Sequence, residues 1–363
     1  MSTTIRTASR EWASRPADER FTSLAELKAA VFQRRQESWT ATPRTSALRV
    51  VPAQDNGVCI QVYDPTHGED RTLEPTHWAF GQLCQYAQAP ATYLRKLPSE
   101  LAAINLQWGV ERSPLRGDSL VLAQTNGHHT LRSITSTSYG RIWDDQVVEA
   151  VERVNADGRW QIPSASYATT HPKRATTLYA SDRDVFIFLV DPENPVEVGN
   201  ETLFRGFYTW NSEVGSATFG LTTFLYRIVC DNRIIWGATD GREVRIRHTG
   251  GAPERFAYEG QQYLARYAEE STTKLIQGIT AARNAVIPVN KGKGETVQDW
   301  LQKRGFTKTQ AKGAVDAAQV EEGGARTVWD IVNGITAYAR SIVNTDERVA
   351  VEVKAGDLME AVA

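Results

Sequence analysis

The sequence predicts an α+β protein: a central antiparallel sheet with hairpins, flanked by N-terminal helices and a C-terminal helical region. Three observations carry this. From Pro114 to His248 the chain is dominated, one helix apart, by short runs of β-branched and aromatic residues broken by turn residues, which is how strands read. On either side, apolar residues recur every three to four positions, the period of an amphipathic helix. No regular alternation of strand and helix is visible, which argues against a parallel, doubly wound sheet.

Taken in order, the first twenty residues are polar and aperiodic and read as a flexible arm, assigned to 1–22. Ser23 and Glu26 form a capping-box pattern ahead of Leu24, Leu27 and Val31 at helical spacing. Short strands follow at 48–51 and 58–63. Pro75 and Thr76 open a helix that turns Trp78, Leu83 and Ala87 inward and that Pro90 ends, and two shorter helices are expected over 93–97 and 99–108. These elements define a mostly helical region, 23–113.

The central α+β domain is placed at 114–290. Strands at 119–125 and 128–134 flank Asn126 and Gly127, the dipeptide favoured by a two-residue type I′ hairpin turn. Asp144 caps a helix over 144–154, stretches 175–180 and 185–190 form a second hairpin, and strands are expected at 203–210, 217–230 and 244–248. One long helix is expected from Glu254 to about Val286, ending before Pro288. The C-terminal region, 291–363, opens with a mobile Lys-Gly loop at Lys291–Gly294 and continues in helices over 296–304, 308–318 and 327–343.

Hydrophobic residues make up 41% and charged residues 23% of the 363 residues, an ordinary globular composition. The longest apolar runs, such as Val185–Val190, are far too short to cross a bilayer, so the chain is expected in the cytoplasm with no membrane partner. Cys59, Cys84 and Cys230 form no CxxC pair and read as buried thiols. The formal net charge of −2 gives no global attraction for nucleic acid, so such a function needs a local patch.

Two passages resemble a family of phage- and plasmid-borne proteins described only as a domain of unknown function. The first holds Trp210, Asn211, Ser212, Gly215 and Ser216, then Phe224, Tyr226, Arg227, Val229, Cys230 and Asn232, and closes with Arg247, His248, Thr249 and Gly250. The second holds Thr327, Trp329, Asp330, Asn333, Thr336 and Tyr338. The resemblance spans roughly residues 75–345 and implies carriage on mobile elements, beside recombination and repair functions. It also implies a fold related to the single-strand annealing proteins RecT, Redβ and Erf, and with it homo-oligomerisation.

A DNA annealer needs cations along a phosphate track and flat side chains under splayed bases, but no reactive group. Between Ser271 and Lys312 eight Lys or Arg, among them Lys291, Lys293, Lys303 and Arg304, stand against two acids; a solubilising helical face explains this equally well. The sheet segment supplies Arg227, Arg233, Arg242, Arg245, Arg247 and His248. Arg245 and Arg247, spaced by two, share one face of a strand, either toward phosphates or in ion pairs along a sheet edge. Trp210 either stacks a base or sits in the core, and Asn211 either serves DNA or stabilises a turn.

Asp144 and Asp145 are adjacent carboxylates of the kind that hold Mg²⁺ in nucleases, but helix capping accounts for Asp144. His128 and His129 point to opposite strand faces, and no phosphate-binding loop is present. No catalytic residue, cofactor or small-molecule substrate is therefore predicted. The leading expectation is a phage- or plasmid-type protein that binds and anneals single-stranded DNA in recombination. The alternatives are a protein-interaction or anti-defence factor and, third, a metal-dependent nuclease.

Overall fold

The computed structural model describes residues 16–54, 57–114, 117–162, 177–199, 201–227, 232–234, 243–290, 292, 294–339, 341–342 and 345–362. Of the expected arm, 1–15 lie outside the described residues, whereas β1 (Arg20–Phe21) is a short strand paired with Tyr179 and Leu178. Helix α1 (Leu24–Gln36) starts where predicted: the Ser23 hydroxyl accepts the Glu26 N–H at 3.1 Å. The Glu26 carboxylate reaches back to Thr22 rather than to Ser23, and Leu27 and Val31 are fully buried.

Strands β2 (Ser38–Ala41), β3 (Arg49–Pro52), β4 (Val58–Asp64) and β5 (Glu69–Pro75) precede helices α2 (His77–Tyr86), α3 (Ala91–Leu94) and α4 (Ser99–Glu111). The hairpin β6 (Ser119–Thr125) and β7 (His129–Ser136) then joins them in one six-stranded sheet of order β2-β6-β7-β5-β4-β3. All its pairs are antiparallel except β5 and β7. The expected boundary at 113 therefore runs through a sheet, and 23–113 is not a mostly helical unit. Helices α2 and α4 seal this sheet with Phe80, Leu83, Ala102 and Leu106 against Ile60, Leu73 and Val121.

The β6–β7 turn also differs from expectation. Thr125 pairs with His129, which leaves Asn126, Gly127 and His128 in a three-residue loop. Only Gly127 has a positive φ, +87°, as the left-handed position of such loops requires. A two-residue type I′ turn would need Asn126 there as well.

Helix α5 (Asp144–Val154) leads to the second sheet: β8 (Leu178–Ala180), β9 (Val185–Val190), β10 (Val196–Val198), β11 (Glu201–Asn211), β12 (Phe219–Arg227), β13 (Asn232–Ile234) and β14 (Glu243–Ile246). The order is β1-β8-β9-β11-β12-β13, all antiparallel, with β10 paired to β11 and β14 to β12. Sheet and helices together are α+β, as the sequence predicts, but with two sheets instead of one. Val185–Val190 is buried residue by residue, because both faces of β9 are covered. One face packs Ile187, Leu189 and Phe207 against α1 and α5. The other carries a layer of stacked rings, Tyr179, Phe186, Phe188, Tyr208, Trp210 and Phe224.

The expected long helix is divided into α6 (Ala252–Arg255), a π-turn at Phe256–Gly260, α7 (Gln261–Glu269) and α8 (Thr273–Asn284). At the break at Glu270 side chains engage the carbonyls of the helix end: buried Arg205 of β11 donates to those of Tyr267 and Glu270, and Arg159 to that of Ala268. Helices α9 (Val297–Gln302), α10 (Lys308–Glu321), α11 (Val328–Ala339) and α12 (Thr345–Glu360) complete the described chain. Helix α11 is buried along almost its whole length, its polar Asn333 and Thr336 included, because it is surrounded: it shares a core with Leu275, Ala314, Val351, Leu203 and Leu225. No helix among the described residues is long and apolar enough to cross a membrane.

Candidate nucleic-acid interface

The turn from β11 to β12 is gripped from several directions. The Ser212 hydroxyl accepts the N–H groups of Val214 at 3.3 Å and Ser216 at 3.0 Å and donates to the Arg183 carbonyl at 2.6 Å. The Val214 carbonyl accepts from Trp78 at 3.0 Å and Gln82 at 2.8 Å, both on α2, and Tyr139 donates to the Ser212 carbonyl at 2.8 Å. Helix α2 belongs to the first sheet's core, so these bonds tie the two sheets together.

Beneath the turn lies a cluster of buried charge. Glu213 Oε2 is 2.7 Å from Arg132 Nη1, and its Oε1 accepts the Asp144 N–H at 2.9 Å. Asp144 Oδ2 is 2.6 Å from Arg34 Nη2, and its Oδ1 accepts from Asn211 at 2.7 Å. Asn211 also donates to the Ile142 carbonyl, and Arg141 to that of Glu213. Asp144 is thus the first residue of α5, not its cap; Glu213 takes the orphan N–H of that helix end and Asp144 spends its carboxylate on Arg34.

Burial lifts the Asp144 carboxyl well above the ordinary carboxylate range, with Glu213 adding to the effect. For Glu213 the same burial is outweighed by Arg132 and Arg34, which hold it below its ordinary value. Burial also lowers Arg141 to about 10. Because arginine, amide or backbone N–H groups engage both carboxylates, the cluster is suited to fixing the junction and not to gripping a cation. Among the described residues no three His, Cys, Asp or Glu side chains could hold a metal ion.

At the rim of the junction runs a ladder of rings and guanidinium groups. His248 stacks on Tyr139 with centroids 5.0 Å apart. The Arg141 guanidinium lies 5.4 Å from the Tyr139 ring and 5.3 Å from that of Trp143, and Arg35 of α1 covers Trp143 at 3.8 Å. Tyr139, Trp143, Arg35 and His248 are all partly exposed. Next to His248, Arg247 and Arg245 are exposed while Ile246 between them is fully buried: the pleat of β14 turns Arg245 outward, and Arg247, the residue after the strand, continues the alternation. The sequence reading missed Arg35, Tyr139, Arg141 and Trp143.

The other expected contacts fare differently. Trp210 is 4% exposed and Asn211 0%: one belongs to the ring layer and the other to the charge cluster, so neither side chain is accessible from the surface. The Trp210 indole lies across Gly220, and Arg245, opposite Gly220 on β14, stands 5.9 Å from that ring. The backbones of β12 and β13 set Arg227 beside Arg233, which pairs with Tyr226; their side chains, and Arg242, Lys291, Lys293 and Cys230 altogether, lie outside the described residues.

Lys303 is paired with Glu295, and Arg304 lies 3.8 Å over the Trp300 ring. Trp300 belongs to the C-terminal helical core, which meets the second sheet at Leu203 and Leu225, toward the opposite end of β12 from Arg245. The structure therefore does not gather Lys303 and Arg304 into one patch with Arg245 and Arg247. Exposed pairs such as Lys303–Glu295 are weak and open to exchange.

Fold and site together define an α+β protein of two sheets clamped around a buried ion cluster, with a cation–aromatic ladder at its rim. The chain belongs to the family described as domain of unknown function DUF932, whose model matches residues 132–349. That span includes Arg132, Arg141, Asp144, Asn211 and Glu213 but not Arg34 or Arg35. No curated protein and no solved structure matches the chain.

Proposed function

We propose that this chain is a non-catalytic DNA-binding protein of a mobile element that coats single strands as an oligomer and promotes their annealing in recombination. The observation that supports this is the ladder His248–Tyr139–Arg141–Trp143–Arg35 continuing into Arg247 and Arg245. Arg141 is buried and held by the Glu213 carbonyl, so it serves to position the rings; the accessible arginines Arg35, Arg245 and Arg247 supply cations for the backbone, and the partly exposed rings supply flat faces for bases. Arginine suits this role because its guanidinium binds phosphate and stacks at once.

The test is fluorescence anisotropy of a labelled single-stranded oligonucleotide, with a duplex control, at low and moderate salt. The proposal expects strand-selective binding that weakens steeply with salt, by about 0.7 in log K per unit log salt for each phosphate neutralised. Absence of binding at low salt would overturn it and favour a protein-interaction role. Cleavage of the oligonucleotide in Mg²⁺ or Mn²⁺ would favour the nuclease reading instead.

A further inference from the structure

We infer that the outer face of α4 is a self-association surface, on which a second copy of this chain docks through the same helix, antiparallel and related by a two-fold axis. The inference is independent of DNA binding. Helix α4 buries Ala102, Leu106 and Val110 in the first sheet's core, yet its outer side leaves Leu101, Ile104 and Trp108 at 50%, 63% and 61% exposure. A helix in a one-sided position needs a single apolar stripe, so the second stripe is unexplained by the fold.

The row along this face identifies the occupant. Glu100, Ile104, Trp108 and Arg112 follow one another at i, i+4 spacing, all exposed, so they form one ridge. Read backward, acid–apolar–apolar–base becomes its own complement. An antiparallel copy sets Glu100 against the second copy's Arg112 and Ile104 against its Trp108, and symmetry repeats each contact, as an isologous interface requires. Between α4 and β3 an open groove of about 520 Å³, lined by Val50, Pro52, Ala103, Ile104 and Gln107, offers a seat for the second copy's Trp108.

Strand addition is the competing way to cover this region, because β3 is the last strand of its sheet. Gln107 occupies that edge: its carboxamide accepts the Val50 N–H at 2.7 Å and donates to the Leu48 carbonyl at 3.3 Å, standing in for a neighbouring strand. Arg112, now 4.7 Å from the Trp108 ring and 3.3 Å from Glu111, is held only by exposed contacts, so re-pairing costs little.

Analytical ultracentrifugation of the full chain over a wide concentration range, without nucleic acid, tests this. A monomer–dimer equilibrium is expected, and Trp108→Glu should raise its dissociation constant by at least roughly 30-fold, as for a central aromatic anchor. Glu100→Arg and Arg112→Glu should each weaken the dimer, while the two together restore it to within roughly 3-fold, the coupling expected of a direct pair. A chain that stays monomeric, or a dimer indifferent to Trp108→Glu, would overturn the surface. A double exchange that fails to restore dimerisation would overturn the antiparallel register.

Discussion

Glu213 and Arg132 meet at 2.7 Å with 1% and 2% of their side chains exposed. One carboxylate thereby joins the turn after β11 to β7, and so the second sheet to the first. A buried pair of this kind adds little over an apolar replacement, but removing one member leaves the other charged and unsolvated.

Glu213→Gln should therefore destabilise the protein by roughly 3–5 kcal/mol, the usual cost of orphaning a buried charge. The amide keeps an acceptor for the Asp144 N–H, so the loss reports the charge that Glu213 presents to Arg132, 2.7 Å away, and more weakly to Arg34 at 3.9 Å. Adding Arg132→Met should recover part of it, giving a double variant more stable than Glu213→Gln alone. Urea denaturation of the three proteins measures both differences. Equal stability of wild type and Glu213→Gln would show that the pair does not hold the junction.

Gly220 is required by its neighbour. A Cβ there would fall 1.9 Å from Cζ2 of the Trp210 indole, which lies flat across the glycine. Alanine in a strand is ordinarily favoured over glycine by about 0.5–1 kcal/mol, whereas overpacking costs roughly 1–3 kcal/mol, so overlap decides the sign. Gly220→Ala should lower the thermal midpoint in the wild type and become neutral or stabilising once Trp210→Ala has removed the ring.

His248 gives the junction a pH response. Its Nδ1 lies 3.1 Å from the Gly140 carbonyl, so that nitrogen carries the donated proton, and Nε2 is buried without a hydrogen-bond partner. Burial pushes its pKa down to about 4, and Arg141 opposes the charged ring as well. The unfolded value is near 6.5, so the unfolded chain binds the proton first. Stability from neutral His248 is fully present above about pH 6.5 and is lost as pH falls through about 4. Asp144, with its raised pKa, works the other way, since its protonation relieves a buried charge. The stability difference between wild type and His248→Gln isolates the histidine: it should shrink from pH 7 toward pH 4, and a constant difference would refute the assignment.

What the sequence made legible follows from range. Ser23 before Leu24, Leu27 and Val31 specifies α1 through contacts within one turn, and the unbroken run Val185–Val190 specifies a strand buried on both faces. β5 was hidden because Glu69–Pro75 buries only Leu73, which leaves no alternation to read. Helix α12 did carry a signal, with Val351, Ala355, Leu358 and Met359 on one face, but the sequence reading ended its last helix at 343. The charge cluster joins residues 69 and 110 positions apart in sequence, and such pairing leaves no local trace. The ladder is an intermediate case. Tyr139, Arg141 and Trp143 alternate at spacing two within one segment, whereas Arg35 and His248 reach them only through the fold.

The most direct test of the account compares wild type with Arg245→Ala/Arg247→Ala in single-strand binding across a salt series, after circular dichroism has verified the fold. Both side chains are exposed, so the variant should fold normally. If each arginine neutralises one phosphate, the slope of log K against log salt should become shallower by about 1.4, with weaker binding at every salt. An unchanged slope and affinity would contradict the placement of single-stranded DNA on this face.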